Sequence, residues 1–211
     1  MRPLTWPSHG GRTRRGRPGR SSPGLHPGSR KWGAWVRITR VGPDEIFHRY
    51  LTPKWAFLPT SGGGAIDGGR FNRPVVEAHY LSRAPQTALE EYKQGASITP
   101  PATLAAYKIT LSDIADLSQG FDPNVWDSAW KEWDCAWRQI ARIDSKIPSS
   151  WKLADLVITT GLRGILYPSL RHAGGTNLVI LFNQPCRRRQ GRGPRSRSPA
   201  AARSVIVALS C

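Results

Sequence analysis

Charge in this chain is segregated to its two ends, and that divides it before any fold is considered. Of its 31 lysines and arginines, eight lie in residues 1–31 (Arg2, Arg12, Arg14, Arg15, Arg17, Arg20, Arg30 and Lys31) and seven in residues 184–211 (Arg187, Arg188, Arg189, Arg192, Arg195, Arg197 and Arg203). Neither segment holds an acid. Residues 32–183 carry the other 16 positive charges against all 14 acids, so of a formal +17 only +2 belongs to the middle. The first segment is Arg/Gly/Pro/Ser text with little apolar beyond Leu4, Trp6 and Leu25. Such text cannot bury enough surface to offset chain entropy, so a disordered basic extension is expected there. Residues 184–211 read as a basic low-complexity tail ending in an apolar scrap, Val205-Ile206-Val207-Ala208-Leu209. The middle is long enough for a real core and is the one domain that 211 residues suggest. Genuine basic tails, and a misplaced start with a shifted reading frame in Arg/Gly/Pro-biased coding sequence, both account for so abrupt a change.

Several classes fall away. No apolar run approaches the roughly 18–20 residues of a membrane helix. The first 30 residues hold no apolar h-region, so no secretory leader is expected, and nothing hydrophobic follows Arg14-Arg15. Cys135, Cys186 and Cys211 form no CxxC and no disulfide framework, which makes a reducing cytoplasm the expected compartment. No metal spacing and no 20–50-residue repeat is present.

Within 32–183 the pattern predicts short strands mixed irregularly with helices. Trp35–Arg40 alternates as a strand, and Glu45–Tyr50 leads into a loop with Pro53 and Pro59. Ser61–Gly69 is a glycine-rich loop. Val75–Leu81 is a strand. Thr87–Gln94 is a helix with Pro85 in its first turn and Gly95 as its stop. Thr103–Leu111 is a strand ended by a Ser112-Asp113 turn. Asp122-Pro123 opens a helix on which Trp126, Trp130, Trp133 and Trp137 share one face, with Asp127, Lys131, Glu132, Asp134 and Arg138 on the others. Ser150–Thr160 is a helix closed by Gly161. Gly164–Tyr167 and Asn177–Phe182 are strands about a turn at Gly174-Gly175. This irregular order argues for an α+β fold, a small mixed or split β-sheet with flanking helices.

Some motifs carry less than they suggest. Gly64, four residues, then Gly69 begins like a Walker A loop, but Arg70 and Phe71 follow where Lys and Ser/Thr are required. The four tryptophans could stack bases, yet helical spacing of large aromatics more often marks a core face. The basic ends resemble nucleic-acid-binding arginine segments, whose phosphate contacts weaken steeply with salt. Ser169 has no His–Asp relay beside it and is not read as a hydrolase nucleophile. The five histidines are isolated, His9 and His26 among the terminal text.

Five stretches stand out together. They are Phe47-His48-Arg49-Tyr50, Gly68-Gly69-Arg70-Phe71-Asn72, His79-Tyr80-Leu81, Thr87-Ala88-Leu89-Glu90-Glu91 and Gly164-Ile165-Leu166-Tyr167-Pro168-Ser169, the last followed by Gly174-Gly175, one residue, then Asn177-Leu178. In this order over residues 37–182 they resemble the RES domain family, named for an Arg, a Glu and a Ser. The resemblance implies the toxin half of a bacterial toxin–antitoxin pair, acting in the cytoplasm. It implies a fold like that of diphtheria-toxin-like ADP-ribosyltransferases. It also implies attack on NAD+, by hydrolysis or phosphorolysis of the nicotinamide–ribose bond or by transfer of ADP-ribose to a host protein, with growth arrest as the result. NAD+ is then substrate, with no further cofactor and no metal. The implied partner is an antitoxin with an Xre-like helix-turn-helix domain, in a hetero-oligomer that meets DNA only through the antitoxin and has no membrane contact.

The matching residues suit that chemistry. Glu91 matches the family Glu, and one carboxylate beside the ribose can stabilise an oxocarbenium-like transition state. Glu90 is turned about 100° away on the helix and is expected to be solvated. Arg49 and Arg70 can clamp a pyrophosphate with forked donors. Tyr80 can stack on nicotinamide, and Tyr50 and Ser169 can offer hydroxyls to ribose or phosphate. The expected catalytic set is Arg49, Glu91 and Ser169, and the expected NAD+-binding set is Arg49, Tyr50, Arg70, Tyr80 and Ser169. Each has a plainer reading: surface charge for the arginines, core for Tyr80, a solvated helix position for Glu91, a turn or cap for Ser169. Departures from relatives are Phe71 in place of Trp, Asn72-Arg73-Pro74 running directly to Val75 where a Gly is common, and the arginine-rich text soon after Phe182. A nucleic-acid binder working through its tails and an inactive interaction module are the alternatives of other classes.

Overall fold

A computed structural model describes residues 36–59 and 67–182, together with the backbone of 187–189 and 205–210. The basic segment 1–31 and residues 60–66 of the glycine-rich loop lie outside the described residues. In chain order the elements are β1 (Ile38–Leu51), β2 (Ala78–Ser82), α1 (Pro85–Lys93), β3 (Thr103–Asp116), a 3-10 turn (Ser128–Trp130), a π-helical turn (Gln139–Ile143), α2 (Ser149–Thr159), β4 (Gly164–Pro168), β5 (Thr176–Leu181), β6 (Arg187–Arg189) and β7 (Val205–Ser210). The strands form one mixed sheet in the order β1-β2-β5-β4-β3-β7-β6, and β1 also pairs with β3, which closes the first five into a ring. β4 and β7 both run parallel to β3, and the other pairings are antiparallel.

Alternation along the strands sends side chains into two cores. On β5, Val179 and Leu181 join Ile165, Tyr167, Trp126, Trp130, Trp133 and the buried face of α2 (Leu153, Ala154, Val157). Leu178 and Ile180 point the other way, to Phe47, Leu51, Tyr107, Ile109, Leu111 and Leu81. The expected α+β class holds as a mixed sheet with few helices.

Several boundaries differ from the expectation, each for a local reason. Trp35, the expected first residue, lies outside the described residues; β1 starts at Ile38 and runs on through Glu45–Tyr50. Register shifts between Thr39 and Val41 and between Val41 and Glu45 carry it past Pro43, which otherwise reads as a strand end. Gly42 makes the bulge possible: its φ is +102°, and a Cβ there would lie 2.7 Å from the Ile109 carbonyl oxygen. β2 begins at Ala78, since Val75 has a positive φ of 70°. In β3 the Ser112-Asp113 signal is real, with Asp113 at φ 57°, yet it marks an irregularity and the strand continues to pair with β4. The apolar end of the tail forms β7, in register with Ala105–Thr110 of β3.

The tryptophan stretch is the largest correction. All four side chains are buried, but no single helix carries them. The Asp122 carboxylate accepts from the Asn124 N–H and the Asp127 carboxylate from the Ala129 N–H. These local bonds restart the backbone every few residues in place of a continuous helix. Trp130 is 1 % exposed at the centre of its cluster. Trp130→Ala is expected to cost about 3–5 kcal/mol in urea unfolding, whereas Phe57→Ser, at a residue 82 % exposed, should shift stability by less than about 0.5 kcal/mol.

Candidate active site

A cavity of about 420 Å³ opens where β1, β2, α1, the segment around Trp137 and the β4–β5 connection meet. Its size is that of a small-molecule site. Arg49, Tyr50, Arg70, Tyr80 and Glu91 all line it, so five of the six residues singled out by sequence, drawn from four separate stretches, share one wall system.

Glu91 sits on α1, which Pro85 starts at its first position and which Gln94 ends in the left-handed region, its N–H returning to the Glu90 carbonyl. The Glu91 carboxylate is held through one oxygen. Ser169 Oγ donates to Oε1 at 2.7 Å, and Asn177 Nδ2 donates to the same atom at 2.7 Å. Oε2 has no partner among the described residues. Asn177 is itself oriented: Ser82 Oγ donates to its Oδ1 at 2.7 Å, which leaves the amide N–H₂ facing Glu91. Ser82 and Asn177 are buried and are register partners on β2 and β5.

Ser169 is placed differently from the expectation. It does not line the cavity. Its hydroxyl donates to Glu91 and accepts the backbone N–H groups of Arg171 and His172 at 3.1 and 3.0 Å. Its hydroxyl thereby joins the Glu91 carboxylate to the backbone of the turn after β4. Thr87 Oγ1 lies 2.9 Å from His172 Nδ1, which ties the same turn back to α1. Glu90 is turned away as the helix geometry requires, but it is half-buried rather than solvated, 3.4 Å from Lys93 Nζ.

Arg49 lies on the face of β1 shared by Phe47 and Leu51, the core-facing side. Its Nη1 is buried with no hydrogen-bond partner among the described residues. Desolvation pulls the Arg49 guanidinium down from its usual range. A buried cation without a counter-ion is costly unless something anionic comes to it. Arg70 is better anchored, with Nη1 donating to the carbonyls of Cys135 at 3.1 Å and Trp133 at 3.4 Å.

Tyr80 borders the cavity with its hydroxyl already engaged. It donates to Asn72 Oδ1 at 2.7 Å and accepts the Phe71 N–H at 2.9 Å, fixing the Gly69–Asn72 turn that presents Arg70. Burial raises the phenol, so it stays a donor. Gly69 has to be glycine here, because a Cβ would lie 2.5 Å from the Tyr80 hydroxyl. Tyr50 is stacked obliquely on Tyr92, with ring centroids 5.9 Å apart.

Sequence reasoning passed over Ser82 and gave Asn177 no role, although Asn177 stands within the last quoted motif. It also passed over Arg138, Arg142 and Arg171, which line the same cavity. Among the described residues no group of three His, Cys, Asp or Glu could hold a metal ion, and no helix is long and apolar enough to cross a membrane.

Asn177→Ala should cost about 1–3 kcal/mol in chemical denaturation, because it leaves Ser82 and Glu91 each one buried bond short; Ser82→Ala, which removes one outer bond, should cost about 1 kcal/mol.

No curated protein matches the chain. Among solved structures, the crystal structure of the M. tuberculosis MbcT–MbcA toxin–antitoxin complex matches at 25% identity, covering 67% of this chain and 76% of that chain, with a TM-score of 0.42. The family model of the RES domain matches residues 46–198, well over half of the 211, and reaches past residue 183 into the arginine-rich text. With the motif residues gathered at one cavity and the family matched across most of its length, the chain belongs to the RES domain family.

Proposed function

We propose that this protein is the toxin of a bacterial toxin–antitoxin pair and that it cleaves NAD+ at the nicotinamide–ribose bond in the cytoplasm, stopping growth. The observation that carries this reading is Arg49, whose Nη1 is buried with no hydrogen-bond partner among the described residues, on the wall of the cavity that Glu91 also lines. A pyrophosphate supplies the missing anion, and Arg49 and Arg70 would take it between them. The likeness implied to diphtheria-toxin-like ADP-ribosyltransferases, and an antitoxin partner with an Xre-like helix-turn-helix domain, belong to the same proposal.

In the reaction the bond between C1′ and the nicotinamide nitrogen breaks, and its electron pair leaves with nicotinamide, neutralising the pyridinium. The ribose becomes an oxocarbenium-like cation. Glu91 can meet that charge through Oε2, while Ser169 and Asn177 hold Oε1 still. Such a preorganised charge acts without reorganisation at the moment of reaction. Water then adds at C1′ and releases a proton. Phosphate or a protein side chain in place of water gives a different product from the same cation.

The test is NAD+ loss on incubation with the purified full chain. Glu91→Gln keeps an oxygen for both hydrogen bonds and removes only the charge, and should slow cleavage by about 100- to 1,000-fold. Arg49→Lys keeps a charge but loses the fork, and should raise KM by about tenfold. Intact NAD+ with folded wild-type protein would refute the cleavage reading. Free ADP-ribose, a phosphorylated ADP-ribose or labelled host protein identifies the acceptor.

A further inference from the structure

The cavity holds more positive charge than a pyrophosphate needs. Besides Arg49 and Arg70, it is lined by Arg138, Arg142 and Arg171. None of the five makes an ion pair among the described residues; elsewhere on the domain Arg37, Arg73 and Arg83 pair with Asp116, Asp155 and Glu45, while Arg40 and Arg163 are unpaired too. Five arginines face two carboxylates, Glu91 and Asp67, a surplus of three positive charges in one cavity.

Two of these guanidiniums share one wall. Trp137 is buried, and Arg138 lies over its ring at 4.9 Å from the centroid and Arg142 at 5.6 Å. Cation–π contact fixes the two charges in place without neutralising them. The Arg142 Nη2 also reaches the Asp67 carbonyl at 3.5 Å. Arg171 enters from the β4–β5 connection, next to the Ser169 hydroxyl that its backbone N–H meets. Partial desolvation first, then the charges of Arg142, Arg171 and Arg70, lower the Arg138 guanidinium, and Glu91 opposes them. Positive charges gathered in one cavity oppose one another, and a polyanion relieves that opposition.

NAD+ does not relieve it. Its two phosphates and its pyridinium sum to about −1, while a phosphate monoester adds about −2 more. We propose that Arg138 and Arg142, held on Trp137, together with Arg171 of the same cavity, form a second anion subsite for a phosphate monoester, and that the preferred substrate is a dinucleotide phosphorylated on its adenosine ribose. This rests on the reading of the cavity as a dinucleotide-cleaving site.

The test compares NADP+ with NAD+ in phosphate-free buffer, using the full chain and its R138A/R142A and R138K/R142K forms. The expected result is kcat/KM at least about tenfold higher for NADP+, lost in R138A/R142A through a higher KM for NADP+ and partly kept in R138K/R142K. Added inorganic phosphate should compete with NADP+. Equal kcat/KM for the two dinucleotides, or a preference that survives R138A/R142A, overturns the subsite. Inorganic phosphate that speeds NAD+ loss through Arg138 and Arg142 assigns the subsite to free phosphate and overturns the substrate assignment. If neither dinucleotide is cleaved, the cleavage reading fails, and titration calorimetry still decides the subsite: tighter binding of NADP+ that needs Arg138 and Arg142 supports it, and equal binding overturns it.

Discussion

The Asn177 side-chain amide sits between two hydrogen bonds of 2.7 Å, accepting from Ser82 on one side and donating to Glu91 on the other. β2, β5 and α1 meet at that point. Because the Ser82 hydroxyl occupies Oδ1, the amide has one orientation, and the carboxylate that it meets has one fixed oxygen. Ser169 adds the second donor to the same oxygen, and its own hydroxyl is directed by two backbone N–H groups of the turn after β4. The geometry of Glu91 is thus set by the sheet and not by its own helix.

Around this fixed carboxylate the electrostatics run one way. Arg49 has a buried Nη1 on the core side of β1, Arg70 is tied to backbone carbonyls, and Arg138 and Arg142 are stacked on an indole. Arg73, elsewhere on the domain, is paired with Asp155. The arginines of the cavity are anchored through neutral groups, which keeps their charge available.

Much of this was legible in the residues. Arg49, Tyr50, Arg70, Tyr80 and Glu91 were found through short motifs, and these motifs do converge on one cavity. The helices were read to within a few residues, because Pro85 and the Gly95 and Gly161 stops act locally. β1 was cut short because a proline and a glycine are read as breakers, while a bulge lets a strand pass both. The tryptophan helix failed because two aspartates rebuilt the backbone with local bonds that periodicity does not register. Ser82, Asn177 and the three further arginines are long-range partners. No spacing rule connects Ser82 with Asn177, 95 positions apart, and only the strand register brings them together.

The bonds that hold Glu91 also set an order of events. Ser169 and Asn177 lie 78 and 86 positions after it in the chain. During synthesis α1 emerges long before either partner does. Until the β4–β5 hairpin has left the ribosome and entered the sheet, the carboxylate has nothing to fix it and the cavity lacks a wall. A nascent chain is therefore without an assembled site almost until its domain is finished, and a truncated product carries all of the early motifs and none of the arrangement.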